Sequence, residues 1–71
     1  MYDYSELLGR IKAKGYTLKT LAKAINIDPS SLSLKLNNHR DFTQSQMRDI
    51  CMLLEIYDVE TYFFTLKLMK N

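Results

Sequence analysis

Apolar residues recur at spacings of three and four through most of the chain, the period of helices that turn one face inward. Leu7, Leu8 and Ile11 supply that face over about residues 4–14, where Gly15 ends the segment and Arg10, Lys12 and Lys14 stay outside. Leu18, Leu21, Ala22 and Ile25 follow Thr17, and Leu32 and Leu36 follow Asp28 and Pro29. Met47, Ile50, Cys51 and Leu54 form the clearest amphipathic run, at about 44–55, and a short fifth segment covers about 59–64. The pattern predicts an all-α fold, a compact five-helix bundle in one domain spanning residues 1–71. Asp3, Thr17, Asp28, Thr43 and Asp58 are candidate N-caps, each set between two apolar or aromatic residues spaced to act as a hydrophobic staple. The pairs are Tyr2 with Leu7, Tyr16 with Leu21, Ile27 with Leu32, Phe42 with Met47 and Tyr57 with Tyr62. Asp3 with Glu6 and Thr43 with Gln46 also fit capping boxes, with Ser5 a rival cap for the first helix. In the tail, Leu66 and Leu68 alternate with Thr65 and Lys67, as either a strand or a helix end does.

The stretch from Thr17 to Asn38 predicts two short helices joined by a tight turn. Asn26 tolerates the left-handed conformation that ends a helix, Ile27 points back inward, and Asp28 caps a second helix with Pro29 at its first position. Ala22 is small enough to let the two helices cross closely. On the second helix, the side opposite Leu32 and Leu36 carries Ser30, Ser33, Leu34 and Asn37. A solvated helix face is normally rich in Lys and Glu, whereas short hydrogen-bonding side chains let a helix sit deep in a groove such as the DNA major groove.

The run Leu21, Ala22, Asn26, Ile27, Ser30, Leu32, Ser33 and KLNN at 35–38 resembles the Xre/Cro-type helix-turn-helix of phage and bacterial repressors. More narrowly, the chain is similar to small Cro-like or repressor-modulating proteins of temperate phages of Gram-positive bacteria, including its opening MYDYSELLGRI and the YFF near the end. Two positions depart from that pattern: Leu18 stands where a phosphate-binding Gln is common, and Asn26 where the turn often has Gly. The resemblance implies a lambda-repressor-like fold and a phage or prophage transcriptional regulator of the lysis or lysogeny decision, acting on double-stranded DNA at the nucleoid.

Charge divides unevenly. Residues 1–40 hold seven Lys or Arg against three acids, and residues 41–71 hold three against five, within a net charge of +2. The basic half is suited to a polyanion, although lysines that merely solubilise a small domain would look the same. The one cysteine, Cys51, allows no internal disulfide and fits a core position in a reducing cytoplasm. No apolar run approaches the roughly 18 residues of a membrane span. His39 is the sole histidine and has no evident nucleophile to activate, and only Gly9 and Gly15 are available for a phosphate cradle. The expectation is therefore no enzyme, no cofactor, no metal, no membrane and no small-molecule substrate.

Site residues follow from the helix pair. Ser30, Leu34 and Asn37 are expected to read bases, with Ser33 flanking, Leu34 being suited to a thymine methyl. The competing reading has Ser30 and Ser31 merely starting a helix. Thr17, Lys19, Lys35, Asn38, His39 and Arg40 are expected to meet phosphates, with ordinary surface charge the alternative for Lys35. Tyr62, Phe63, Phe64, Leu66, Leu68 and Met69 offer apolar surface for a homodimer. The alternatives are that Phe63 and Leu66 close the monomer core, or that the patch docks a phage repressor protein. The last option belongs to a second functional reading, an antirepressor, which the low net charge, Leu18 and an exposed Leu34 also suit.

Overall fold

The computed structural model describes residues 1–67, and its five helices are α1 (Ser5–Ala13), α2 (Leu18–Ala24), α3 (Pro29–Leu36), α4 (Gln44–Leu54) and α5 (Val59–Phe63). The all-α class follows, with no strand among the described residues. Three helix starts are closed by side chains. Thr17 Oγ1 accepts from the Thr20 N–H at 3.1 Å while Thr20 Oγ1 accepts from the Thr17 N–H at 2.8 Å, a reciprocal box formed by a threonine pair. Thr43 and Gln46 form the expected box at 3.1 and 3.0 Å. Asp58 accepts from the Thr61 N–H at 3.2 Å, and the Thr61 hydroxyl, then that N–H, hold its carboxyl below the ordinary aspartate range. Thr43→Ala is expected to lower stability by about 1 kcal/mol, measured as a shifted urea midpoint at unchanged slope.

The other two starts differ from expectation. Asp28 occupies the N-cap position of α3 without a side-chain bond to the helix. Asp3 lies one residue before the cap position, Tyr4, and its carboxylate takes the N–H and hydroxyl of Ser5, so neither the Asp3–Glu6 box nor a Ser5 cap forms.

Four helix ends share one device. Gly15, Asn26, Asn38 and Glu55 are left-handed, with φ of 82°, 61°, 65° and 54°. The residue after each sends its N–H back five positions: Tyr16 to Ile11, Ile27 to Ala22, His39 to Leu34 and Ile56 to Cys51. The expected stops at Gly15 and Asn26 are in place, and three of these turns aim an apolar residue back at the core. Glu55 is the unusual occupant. Lys14 pairs with its carboxylate, and that hydrogen bond holds the carboxyl below its ordinary range.

Arg10 turns inward instead of facing solvent. Its Nη1 donates to the Leu54 and Glu55 carbonyls at 3.1 and 3.2 Å, its Nη2 donates to the Tyr62 hydroxyl at 2.7 Å, and its guanidinium lies over the Tyr62 ring. One side chain thus satisfies the end of α4 and fixes α5 against α1. A run of aromatic contacts, Tyr2 to Tyr4 to Phe42 to Phe63, ties the N-terminus and the α3–α4 loop to α5. Leu8 and Leu18 are exposed, against expectation, because Tyr4, Leu7 and Ile11 fill the inward stripe of α1, and Leu21, Ala22 and Ile25 that of α2. Tyr57 is 91% exposed, so its staple with Tyr62, which is already held by Arg10, does not form. Cys51 is half-buried against the core, and burial raises its thiol.

The described part of the tail, residues 65–67, takes the extended alternative, and Leu68 lies outside the described residues. Tyr2 and Leu66 form an antiparallel bridge, with the Asp3 N–H on the Thr65 carbonyl at 2.7 Å and the Lys67 N–H on the Met1 carbonyl at 3.1 Å. No helix among the described residues is long and apolar enough to cross a membrane.

Candidate nucleic-acid interface

The α2–α3 pair packs through Leu21, Ala22 and Leu32, all fully buried. The turn between them is short because the left-handed Asn26 ends one helix and Pro29 starts the next three residues later. This arrangement leaves the far side of α3 open at its two ends and partly covered between them. Ser30 and Asn37 are exposed there, and Ser33 and Leu34 are half-buried, so Leu34 is less open than expected. The Asn37 Nδ2 donates to the Ser33 carbonyl at 2.8 Å and approaches the Ser33 hydroxyl at 3.4 Å. Its amide nitrogen is thereby engaged within the helix, whereas its Oδ1 accepts no hydrogen bond among the described residues.

The residues expected to meet phosphates separate into two groups. Lys19, His39 and Arg40 are exposed around the pair, and Thr17 is exposed with its hydroxyl engaged in the cap. Lys35 and Asn38 are not free for that role. Lys35 is only 8% exposed, and its Nζ donates to the Asp41 carbonyl at 2.9 Å, because its position on α3 borders the buried stripe of Leu32 and Leu36. Asn38 brackets the N-terminus: its Oδ1 accepts from the Tyr2 N–H at 2.8 Å and its Nδ2 donates to the Tyr2 carbonyl at 2.9 Å. Both ends of that amide are used on the protein's own backbone.

Beside α3 runs an open cleft of about 880 Å³. Lys19, Thr20 and Lys23 of α2 line it with Asn26, Ile27 and Asp28 of the turn, Pro29, Ser31 and Lys35 of α3, Arg40 of the following loop and Gln46 of α4. Among the described residues, Lys14 and Arg48 are the cations in ion pairs, with Glu55 and Asp49. The four cations of the cleft have no such partner among those residues, and Asp28 is the one carboxylate in its lining. Lys23 and Gln46 were missed by sequence reasoning. Lys23 was visible as the residue four after Lys19, on the same side of a helix. Gln46 had no signal, since its approach depends on how α4 packs.

The terminal apolar surface is smaller than expected. Phe63 is 1% exposed and belongs to the core, which Phe42 and Leu54 share with it. Tyr62 is half-buried and committed to Arg10. Phe64 and Leu66 are exposed, Phe64 standing edge-on to Tyr2 at 5.8 Å. Leu68 and Met69 lie outside the described residues.

The profile of a family described as "Protein of unknown function (DUF739)" matches residues 1–66, and the chain belongs to that family. No curated protein matches the chain.

Proposed function

We propose that this member of the DUF739 family is a sequence-specific DNA-binding transcriptional regulator of the Xre/Cro helix-turn-helix type, phage or prophage encoded and acting in the bacterial cytoplasm. The observation that carries the reading is the outward side of α3, where Ser30 and Asn37 are exposed and Ser33 and Leu34 half-buried, flanked by cations without ion-pair partners among the described residues. With α3 in the major groove, Leu34 meets a thymine methyl, while Asn37, whose nitrogen is engaged, accepts from the exocyclic amine of adenine or cytosine. Ser30 lies in the first turn, which points most directly at base edges, and Lys19, Thr17, His39 and Arg40 hold the flanking phosphates.

One such helix covers few base pairs, so a homodimer reading two half-sites about 34 Å apart is the working unit. Phe64 and Leu66, near the meeting of the chain's two ends, are the described apolar residues of the expected dimer surface that remain open to it. A second reading, an antirepressor that binds a phage repressor protein, draws support from Leu18, 38% exposed at the start of α2 where an apolar side chain does nothing for a phosphate.

Selection from a randomised duplex library tests the first reading. The wild-type chain should enrich a palindromic site, and Leu34→Ala should fold normally but change the preferred base at one position of each half-site, by about 1–3 kcal/mol of discrimination. Failure to enrich any sequence, with capture of a repressor protein instead, would favour the antirepressor.

A further inference from the structure

Where the N-terminal segment, the α3–α4 loop and the end of α5 meet, they leave a pocket of about 220 Å³. Tyr2, Tyr4, Phe42, Phe63 and Phe64 bring their rings to its lining, and Asp41 brings its one charge. We propose that this pocket takes the guanidinium of an arginine side chain presented by another protein, a role that does not depend on DNA binding. The rings stand across one another, Tyr4 and Phe42 at 84°, Phe42 and Phe63 at 85°, Tyr2 and Phe64 at 86°. Rings set this way border a hollow from several sides, and their π-systems attract a cation.

Rings alone would suit any apolar group, so the polar atoms decide the occupant. Asp41 is exposed, and its carboxylate is within ion-pair distance of no cation among the described residues. Lys35 is spent on the Asp41 carbonyl at 2.9 Å, which pins the loop and leaves the carboxylate to the pocket. Tyr4 is only 7% exposed, and its hydroxyl bonds to no described residue; since no unpartnered polar atom among those residues is sealed from solvent, that hydroxyl remains reachable. Burial first, then Tyr2 and Asp41, raise its pKa above the ordinary tyrosine value, so it stays a neutral phenol. A guanidinium carries donors only, in a plane that lies on rings and meets a carboxylate two bonds at a time. An anion would be repelled by Asp41, and an apolar group would take water from the carboxylate and the phenol without replacing it. The volume falls below the roughly 300–1,000 Å³ of pockets for drug-sized ligands, and suits the head of one side chain. The chain's own arginines are engaged elsewhere: Arg10 on Tyr62, Arg48 on Asp49, and Arg40 along the cleft beside α3. Exposed Phe64, in the lining, and Leu66, bridged to Tyr2, give the rest of the partner's segment apolar surface to cover, which a free guanidinium compound would leave open. Because those two residues also belong to the proposed dimer surface, the partner and a second copy compete there.

The test titrates the full chain at low salt with the blocked peptide acetyl-Gly-Arg-Gly-amide, followed by NMR, beside the same peptide with neutral citrulline in place of arginine. The arginine peptide should shift the amides of Phe42 and Phe64 and the ring signals of Tyr4, and the citrulline peptide should bind at least about tenfold more weakly. Asp41→Asn, which keeps the backbone carbonyl that Lys35 uses, should weaken the arginine peptide about tenfold. Tyr4→Phe keeps the ring in the core and should weaken it about threefold. Glu6→Gln, an equal loss of charge on α1 outside the pocket, should change affinity less than about twofold. Equal binding of the citrulline peptide, an Asp41→Asn variant that behaves like Glu6→Gln, or an arginine peptide that leaves Phe42 and Tyr4 unmoved would each overturn the proposal. If agmatine, a free alkylguanidinium, binds more tightly than the peptide, the ligand is a small molecule and the protein partner is refuted. No DNA enters the experiment, so its failure leaves the DNA-binding reading standing.

Discussion

Phe63→Ala is expected to cost about 3–5 kcal/mol, enough to leave a chain of 71 residues largely unfolded at 37 °C. Phe63 is 1% exposed and stands edge-on to Phe42 at 5.3 Å, and Phe42 in turn stands edge-on to Tyr4 at 5.5 Å. Its removal opens a cavity where α5, the α3–α4 loop and the N-terminus meet, and none of these can collapse into it without loosening the others. Phe64→Ala is the matched control: its ring is exposed, and the loss should stay near 1 kcal/mol. Urea titration followed by circular dichroism separates the two. Similar small losses for both variants would return Phe63 to the surface patch and undo the assignment of α5 to the core.

Asn38 is expected to be a sensitive position through stability and not through phosphate binding. Its amide makes two hydrogen bonds to the backbone of Tyr2, each contributing about 0.5–1.5 kcal/mol, and its left-handed backbone adds about 1 kcal/mol of strain to any ordinary replacement. Asn38→Ala should therefore cost about 2–4 kcal/mol. Asn38→Gly keeps the backbone conformation and should cost about 1–3 kcal/mol, the contribution of the amide. Hydrogen exchange gives the distinguishing sign. The amides of Tyr2, Asp3 and Lys67, which hold the N-terminus between Asn38 and the tail, should lose protection in Asn38→Gly before those of α4. Weaker duplex binding with stability and Tyr2 protection intact would restore the phosphate role.

The difference between these two residues explains what the sequence made legible. Helix number, the Thr17 and Thr43 caps, the stops at Gly15 and Asn26 and the position of Pro29 are local matters, each decided by residues within one or two turns. Three- and four-residue periodicity likewise placed Leu7, Leu21, Leu32, Ile50 and Leu54 in the core. What escaped depends on contacts between residues far apart in the chain. Arg10 looked like surface charge until the end of α4 and Tyr62, 44 and 52 positions away, were seen to take its donors. Asn38 meets Tyr2 across 36 positions, and neither sequence neighbourhood hints at the other. Lys35 was the intermediate case, because its place beside Leu36 already put it at the border of the buried stripe. In the candidate site, the outward side of α3 was legible from helical spacing, whereas the cleft required the packing of α2, α3 and α4 together.

Binding of duplex DNA by α3 and the cations around it, as proposed, requires affinity to fall as salt rises. Each cation that replaces a counterion on a phosphate contributes about 0.9 to the slope of log affinity against log salt. With Lys19 and Arg40 on phosphates, the slope should be at least about −2 per chain, and Arg40→Gln should reduce it by about one while leaving the order of preferred sequences unchanged. An affinity that does not respond to salt, or no binding to any duplex near 50 mM salt, would mean that α3 and its flanking cations are not a DNA-binding surface.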